Sequence, residues 1–304
     1  MKVFSKLFES NVARCLLSRR NTTIVLLLAP MVLVLVGFLV VPLFGLLRSS
    51  FLPGNRLLEG TGFSLKQYLI FFSDSYYSSM LLETVVDGLV VTLICLAIGF
   101  PTGYSLARLP PFARRWRMLI VILPLTLSLV VVVFGWMIVL GRNGLLNAFL
   151  VNVGILSTPK TFLFSRPAVV VVLVQQFLPF MILSIMSVVA QIDPVLEQAA
   201  ANLRSNRFTT FRKVIIPLAL PGIIVGFNLV FVLSISAFVT PRIIGGSRVA
   251  MIGSLIYERM MAELNWPSGA AMAVVLFICG LGFTAALNAL ATSQFIVGRR
   301  RREV

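Results

Sequence analysis

The chain has 304 residues, of which 59% are apolar and only 12% charged. A soluble domain carries about 45–50% apolar and about 25% charged residues, so the composition excludes a soluble enzyme, a disordered chain and a coiled coil. The net charge of +16 is read as topology, because loops on the cytoplasmic side of membrane proteins collect Lys and Arg. No nucleic-acid-binding pattern accompanies that charge, so no nucleic-acid partner is expected.

Residues 1–22 form a basic tail with Lys2, Lys6, Arg14, Arg19 and Arg20. Six apolar stretches follow, near 23–47, 82–107, 118–140, 167–190, 218–240 and 269–297. Each is close to the roughly 20 residues that cross a bilayer as a helix. Helices satisfy their backbone polar groups internally in lipid, and regular alternation, the mark of a membrane barrel, is missing. The expectation is an all-α membrane protein with one domain over 23–297 and a short basic tail at 298–304. The first stretch is longer than a secretory core and no small-residue cleavage site follows it, so it is read as retained. Pro101, Pro124 and Pro179 are expected to bend their helices.

Of the 26 basic residues, 17 fall in the two tails and in the loops 108–117 and 191–217. This asymmetry puts both termini in the cytoplasm. Tyr68, Phe71, Phe72, Tyr76, Tyr77 and Trp266 lie beside the opposite edge, where aromatic residues anchor membrane proteins. Cys15, Cys95 and Cys279 share no motif spacing, and histidine is absent. No disulfide framework or His-based metal site is expected.

The loop 191–217 carries its own helical pattern. Asp193–Pro194 marks a helix start. Val195, Leu196, Ala199, Ala200 and Leu203 then share a stripe made shallow by its alanines. Arg204-Ser205-Asn206 breaks the helix. A second one begins near Arg207, with Phe208, Phe211 and Ile215 on its apolar side and Arg207, Arg212 and Lys213 on its polar side. Pro217 is expected to close it. The result is a hairpin shaped like a docking knob, although an amphipathic hairpin resting on acidic headgroups has the same pattern.

Within the membrane, Glu83 and Asp87 sit four residues apart on one helical face. Carboxylates there face a cavity or a partner. They are read either as a cation-attracting rim or as a pair matched to an arginine of another helix. Gln175, Gln176, Asn228, Ser234 and Ser236 are further candidates for a solute path, and hydrogen bonding between helices accounts for them equally.

Glu197-Gln198-Ala199-Ala200, Leu203, Phe211, Ile216-Pro217-Leu218 and Leu220-Pro221-Gly222 resemble the EAA loop of permeases from binding-protein-dependent ATP-binding-cassette importers. The stretches 99–108 (GFPTGYSLAR), 177–185 (FLPFMILSI), 238–246 (FVTPRIIGG) and 265–277 (NWPSGAAMAVVLF) are similar to the spermidine/putrescine branch. In two places the chain departs from the family pattern. The family glutamate aligns with Gln198, and its glycine aligns with Arg204. A left-handed non-glycine residue there costs roughly 1–2 kcal/mol, and Asn206 could take that conformation instead.

The resemblance implies a type I importer permease fold in the bacterial inner membrane. It also implies a docking role for residues 191–217, two cytosolic ATPase subunits holding ATP and Mg, a second permease subunit and an extracytoplasmic solute-binding protein. The chain itself has no G-x-x-x-x-G-K-[ST] phosphate loop, so it is read as non-catalytic and as needing no cofactor of its own. The solute is expected to be a polyamine or a similar small cation. An amino acid, opine, iron or thiamine remains an alternative, as does an ion-coupled secondary transporter.

Overall fold

The computed structural model describes residues 19–54 and 62–300, with side chains over 27–54 and 62–290. The basic residues Lys2, Lys6 and Arg14, together with Cys15 and residues 301–304, lie outside that range. Among the described residues all regular structure is helical. Six stretches are long and apolar enough to cross a membrane: Leu27–Ser50, Ser75–Ala107, Leu129–Asn152, Arg166–Val189, Arg207–Ile235 and Trp266–Leu290.

The helices are α1 (Arg19–Ser50), α2 (Lys66–Ser73), α3 (Ser75–Ala107), α4 (Pro111–Thr126), α5 (Leu129–Leu140) and α6 (Leu145–Asn152). After these come α7 (Arg166–Val189), α8 (Val195–Asn202), α9 (Arg207–Ile235), α10 (Ile252–Tyr257) and α11 (Trp266–Arg300). The core is built from α3, α7 and α9. Lipid offers no hydrophobic drive for helices to associate, so close packing at small residues has to hold them together. Glycines supply it. A Cβ on Gly99 would lie 2.7 Å from Met181 Cγ, and one on Gly103 would lie 2.9 Å from the Ile182 carbonyl. On the other side of α7, a Cβ on Gly222 would lie 2.9 Å from the Ser184 carbonyl. By contrast, α1 is mostly exposed over Leu27–Leu47 and packs chiefly on α11.

The third crossing differs from expectation. Residues 118–140 are not one bent helix, because α4 ends at Thr126 and α5 starts after Ser128, with Leu127 and Ser128 both extended. Pro124 sits inside α4, which runs on through it to Thr126, so the break falls just past the proline. The fifth crossing also stops short of 240. Its helix ends at Ile235, and a π-turn follows over Pro241–Gly245.

Of the six aromatic residues expected as membrane anchors, Phe71 and Tyr77 are buried and stacked on each other at 5.8 Å. The Tyr77 hydroxyl accepts from Arg259 Nη2 at 2.8 Å. Phe72 and Tyr76 remain exposed. The short helix α2 turns one face toward the bundle, which buries Phe71 and leaves Phe72 outside, and the adjacent Tyr76 and Tyr77 part in the same way in the first turn of α3.

Candidate functional site

Two regions collect the polar chemistry. One is the hairpin at the end of the bundle where α7 gives way to α9. The other is a layer halfway along α7.

The hairpin opens at Asp193, whose Oδ1 accepts from Val195 N at 2.9 Å. Its first helix, α8, closes with Arg204 in the left-handed region, at φ 56°. Arg204 N and Ser205 N return to the Ala201 and Ala200 carbonyls at 2.9 and 3.1 Å. The expectation that Asn206 takes this conformation is corrected. Asn206 is extended and caps α9 instead, its Oδ1 accepting from Thr209 N at 2.7 Å. The residue before a capped helix start has to be extended, so the reversal falls on Arg204, where the family pattern has glycine.

Pro217 does not close the second helix, as the sequence had suggested. A π-turn over Phe211–Ile215 leads straight into the crossing, so α9 runs unbroken from Arg207 to Ile235. The wider turn makes room for the proline ring, whose clash is with the carbonyl four residues earlier.

The apolar residues of the hairpin divide between two directions. Phe211 and Ile215 pack into the bundle, but Leu203 and Phe208 are 84% and 71% exposed. Val195, Leu196, Gln198 and Ala199 are exposed beside them, Ala200 partly so, and Arg207, Arg212 and Lys213 surround the patch.

Glu197 points the other way. Its Oε1 accepts from Arg108 Nε at 2.8 Å, and its Oε2 accepts from the Tyr104 hydroxyl at 2.7 Å. Arg108 Nη2 makes a charge contact with Oε1 at 2.6 Å. Arg108 Nη1 donates to the Ile192 carbonyl at 2.8 Å. The Phe211 ring meets Phe100 and Tyr104 edge-on, at 5.1 and 5.7 Å. Sequence reasoning missed Tyr104 and Arg108 as partners. Both lie in the 99–108 motif, which was read only as part of a resemblance.

Halfway along the bundle, Gln175 Oε1 accepts from Trp136 Nε1 at 3.1 Å, and Gln176 Nε2 donates to Thr240 Oγ1 at 2.9 Å. Gln175 lies nine residues into α7, about 14 Å at 1.5 Å per residue, which is close to the middle of a roughly 30 Å hydrocarbon layer. The break between α4 and α5 and the end of α9 meet at this level. They line an open pocket of about 320 Å³, with Leu127, Gln175, Gln176, Phe180, Ser236 and Thr240 among its walls. Ser236 is thus joined to the glutamines. Ser234 is not, because it is buried and its hydroxyl returns to the Val230 carbonyl at 2.7 Å. Asn228 Nδ2 donates to Asn288 Oδ1 at 3.1 Å and ties α9 to α11. Trp136 and Thr240 were missed from the sequence. A tryptophan in an apolar run is the signal that could have found the first, since a buried indole N–H needs an acceptor.

At the end of the bundle opposite the hairpin, Glu83 pairs with Arg166, both half exposed. Asp87 is buried one turn deeper on the same helix. Among the described residues no group of three His, Cys, Asp or Glu could hold a metal ion.

A bundle of six helices long enough to cross a membrane, with a hairpin projecting from one end and a pocket carrying a few amides and hydroxyls at mid-depth, has the build of a membrane permease. The chain belongs to the binding-protein-dependent transport system inner membrane component family, whose pattern matches residues 99–294. It is 32% identical over 249 residues to the spermidine/putrescine transport system permease protein PotB of Haemophilus influenzae, covering 80% of this chain and 85% of that one. The PotB protein of Escherichia coli K12 is also 32% identical, over 260 residues, with 82% and 92% covered. A bacterial ABC transporter that imports alginate has a chain of similar fold, with TM-score 0.66, 17% identity, and 90% of this chain and 96% of that one covered. A chain of the MetNI methionine ABC transporter matches at TM-score 0.53 and 20% identity, covering 72% of this chain and 98% of that one. The chain is therefore a permease subunit of an ABC importer.

Proposed function

We propose that this subunit forms half of the membrane path of an ATP-driven polyamine importer. The observation that carries the reading is its 32% identity to two spermidine/putrescine permeases over four fifths of its length. In this reading both termini and the hairpin lie in the cytoplasm of a bacterial inner membrane, as the excess of basic residues at that end suggests. The exposed patch of Val195, Leu196, Gln198, Ala199, Leu203 and Phe208 docks on one of two cytosolic ATPase subunits, which bind ATP and Mg. A second permease supplies the other half of the path, and an extracytoplasmic protein delivers the solute.

The mid-depth pocket suits such a solute chemically. Its polar groups are neutral amides and hydroxyls, and Phe177, Phe180 and Phe238 line it beside them. A neutral site holds an ammonium group strongly enough to replace water and weakly enough to release it, the balance that conduction requires. A fixed carboxylate at the same depth would hold the cation far longer, because Coulomb attraction grows as water is excluded.

The test is a solute panel on the purified complex. Hydrolysis of ATP is measured with the binding protein loaded in turn with spermidine, putrescine, arginine and thiamine. Stimulation by the two polyamines supports the reading. Stimulation by arginine or thiamine alone would replace it with another importer of the same family.

A further inference from the structure

The contacts of Glu197 reach beyond the docking surface. We propose that Glu197 is a positioning residue which, with Arg108 and Tyr104, fastens the hairpin to the end of α3, so that the two move as one lever. The inference rests on the importer reading above and deepens it, because it names the route by which an ATPase would move the membrane helices.

Three observations carry it. First, Glu197 has both oxygens engaged within its own chain, on Arg108 and on Tyr104. It is not free to stand in for the acid that Gln198 lacks toward a partner. Second, Arg108 joins three elements at once. It ends α3, contacts α8 through Glu197, and holds the Ile192 carbonyl where the chain leaves α7. The pair is largely shielded, with side chains 20% and 25% exposed. Removing one partner of such a pair leaves the other charge uncompensated, unlike a pair in open solvent. Third, the other arm of the hairpin is fixed to the same place, since Phe211 packs edge-on against Phe100 and Tyr104. Both arms therefore grip the last two turns of α3.

That helix is itself locked to α7. Gly99 and Gly103 bring the two backbones together, and Cys95 Sγ lies 3.7 Å from the Val174 carbonyl, next to Gln175. A pull on the hairpin is thus delivered to α3, and α3 meets α7 beside the glutamine layer. The exposed patch receives the partner, and Glu197 transmits its motion.

The test uses the complete complex with ATPase, second permease and binding protein. Spin labels are placed on exposed positions through Asn202→Cys in the hairpin and Ser105→Cys in α3, and their separation is measured without nucleotide and with ATP trapped. The separation is expected to be the same in both states, and to shift or broaden with nucleotide once Glu197→Gln is introduced. The charge swap Arg108→Glu with Glu197→Arg is expected to restore it. In parallel, uptake per ATP hydrolysed is expected to fall about fivefold in Glu197→Gln, within the range by which residues along a coupling network act, while the ATPase still copurifies.

A change of more than about 5 Å between nucleotide states without the Glu197 substitution, about one helical turn, would overturn the proposal. So would a fall in uptake and hydrolysis in equal proportion, which is the mark of a merely structural role. If the solute is not a polyamine, the separation measurement still stands, so the two ideas fail separately.

Discussion

Glu83 and Arg166 form an ion pair between the third turn of α3 and the first turn of α7. Glu83 is neutralised there, whereas Asp87 is buried one turn deeper and makes no ion pair among the described residues. Half-exposed pairs contribute little, so Glu83→Gln is expected to change uptake of a cationic solute less than Asp87→Asn does. Asp87→Asn keeps the shape and removes the charge, and it is expected to lower that uptake several-fold. Binding by the extracytoplasmic protein and assembly with the second permease should be unaffected. Uptake kinetics of the two variants in the reconstituted complex decide it. Equal uptake would return both acids to a structural role.

Topology has a direct chemical test. A cysteine at Ser205, in the hairpin, is expected to be shielded from an impermeant thiol reagent in intact cells. A cysteine at the exposed Ser247, beyond the π-turn at the other end, is expected to be labelled. The reverse pattern would invert the orientation proposed above.

The docking surface is tested by filling it. Ala200 is only partly covered and borders the exposed patch of Ala199 and Leu203. Ala200→Trp adds bulk where a partner has to approach closely. Loss of ATPase copurification and of substrate-stimulated hydrolysis is expected, with membrane insertion unchanged. Normal copurification and uptake would mean that the hairpin rests on lipid.

The packing of α3 on α7 makes its own prediction. A Cβ on Gly103 would meet the Ile182 carbonyl at 2.9 Å and Ile185 Cβ at 3.2 Å. Backbone cannot step aside as a side chain can, and overpacking of this kind costs about 1–3 kcal/mol. Gly103→Val is expected to lower the thermal midpoint of the purified subunit, whereas Gly37→Val should leave it unchanged, because Gly37 has nothing within 4 Å. Equal midpoints would show that the two helices are not held by this contact.

The crossings and the hairpin were legible in the sequence because length, apolarity and capping residues are local signals. Asp193 and the two helix starts fell where their side chains dictated. What was not legible depends on which residues meet across the fold. Nothing in residues 191–217 reveals that Glu197 turns inward, since its partners lie about 90 positions earlier at Tyr104 and Arg108. The same holds for Thr240 against Gln176 and for Arg166 against Glu83. Backbone breaks were misjudged for a different reason. Proline marks a weak point in a helix, but whether the helix bends, breaks or absorbs the ring is set by the neighbours. Pro124 precedes a break, and Pro217 is absorbed after a π-turn.

The central claim is that this chain helps to carry polyamines across a membrane at the expense of ATP. It is tested most directly by uptake of labelled spermidine into proteoliposomes that hold the complete complex, with the loaded binding protein on one side and ATP on the other. Accumulation that requires ATP and the binding protein, and that stops when this subunit is omitted, is the expected result. ATP-driven accumulation of an unrelated solute with no movement of spermidine, or spermidine uptake that follows an ion gradient without ATP, would contradict it.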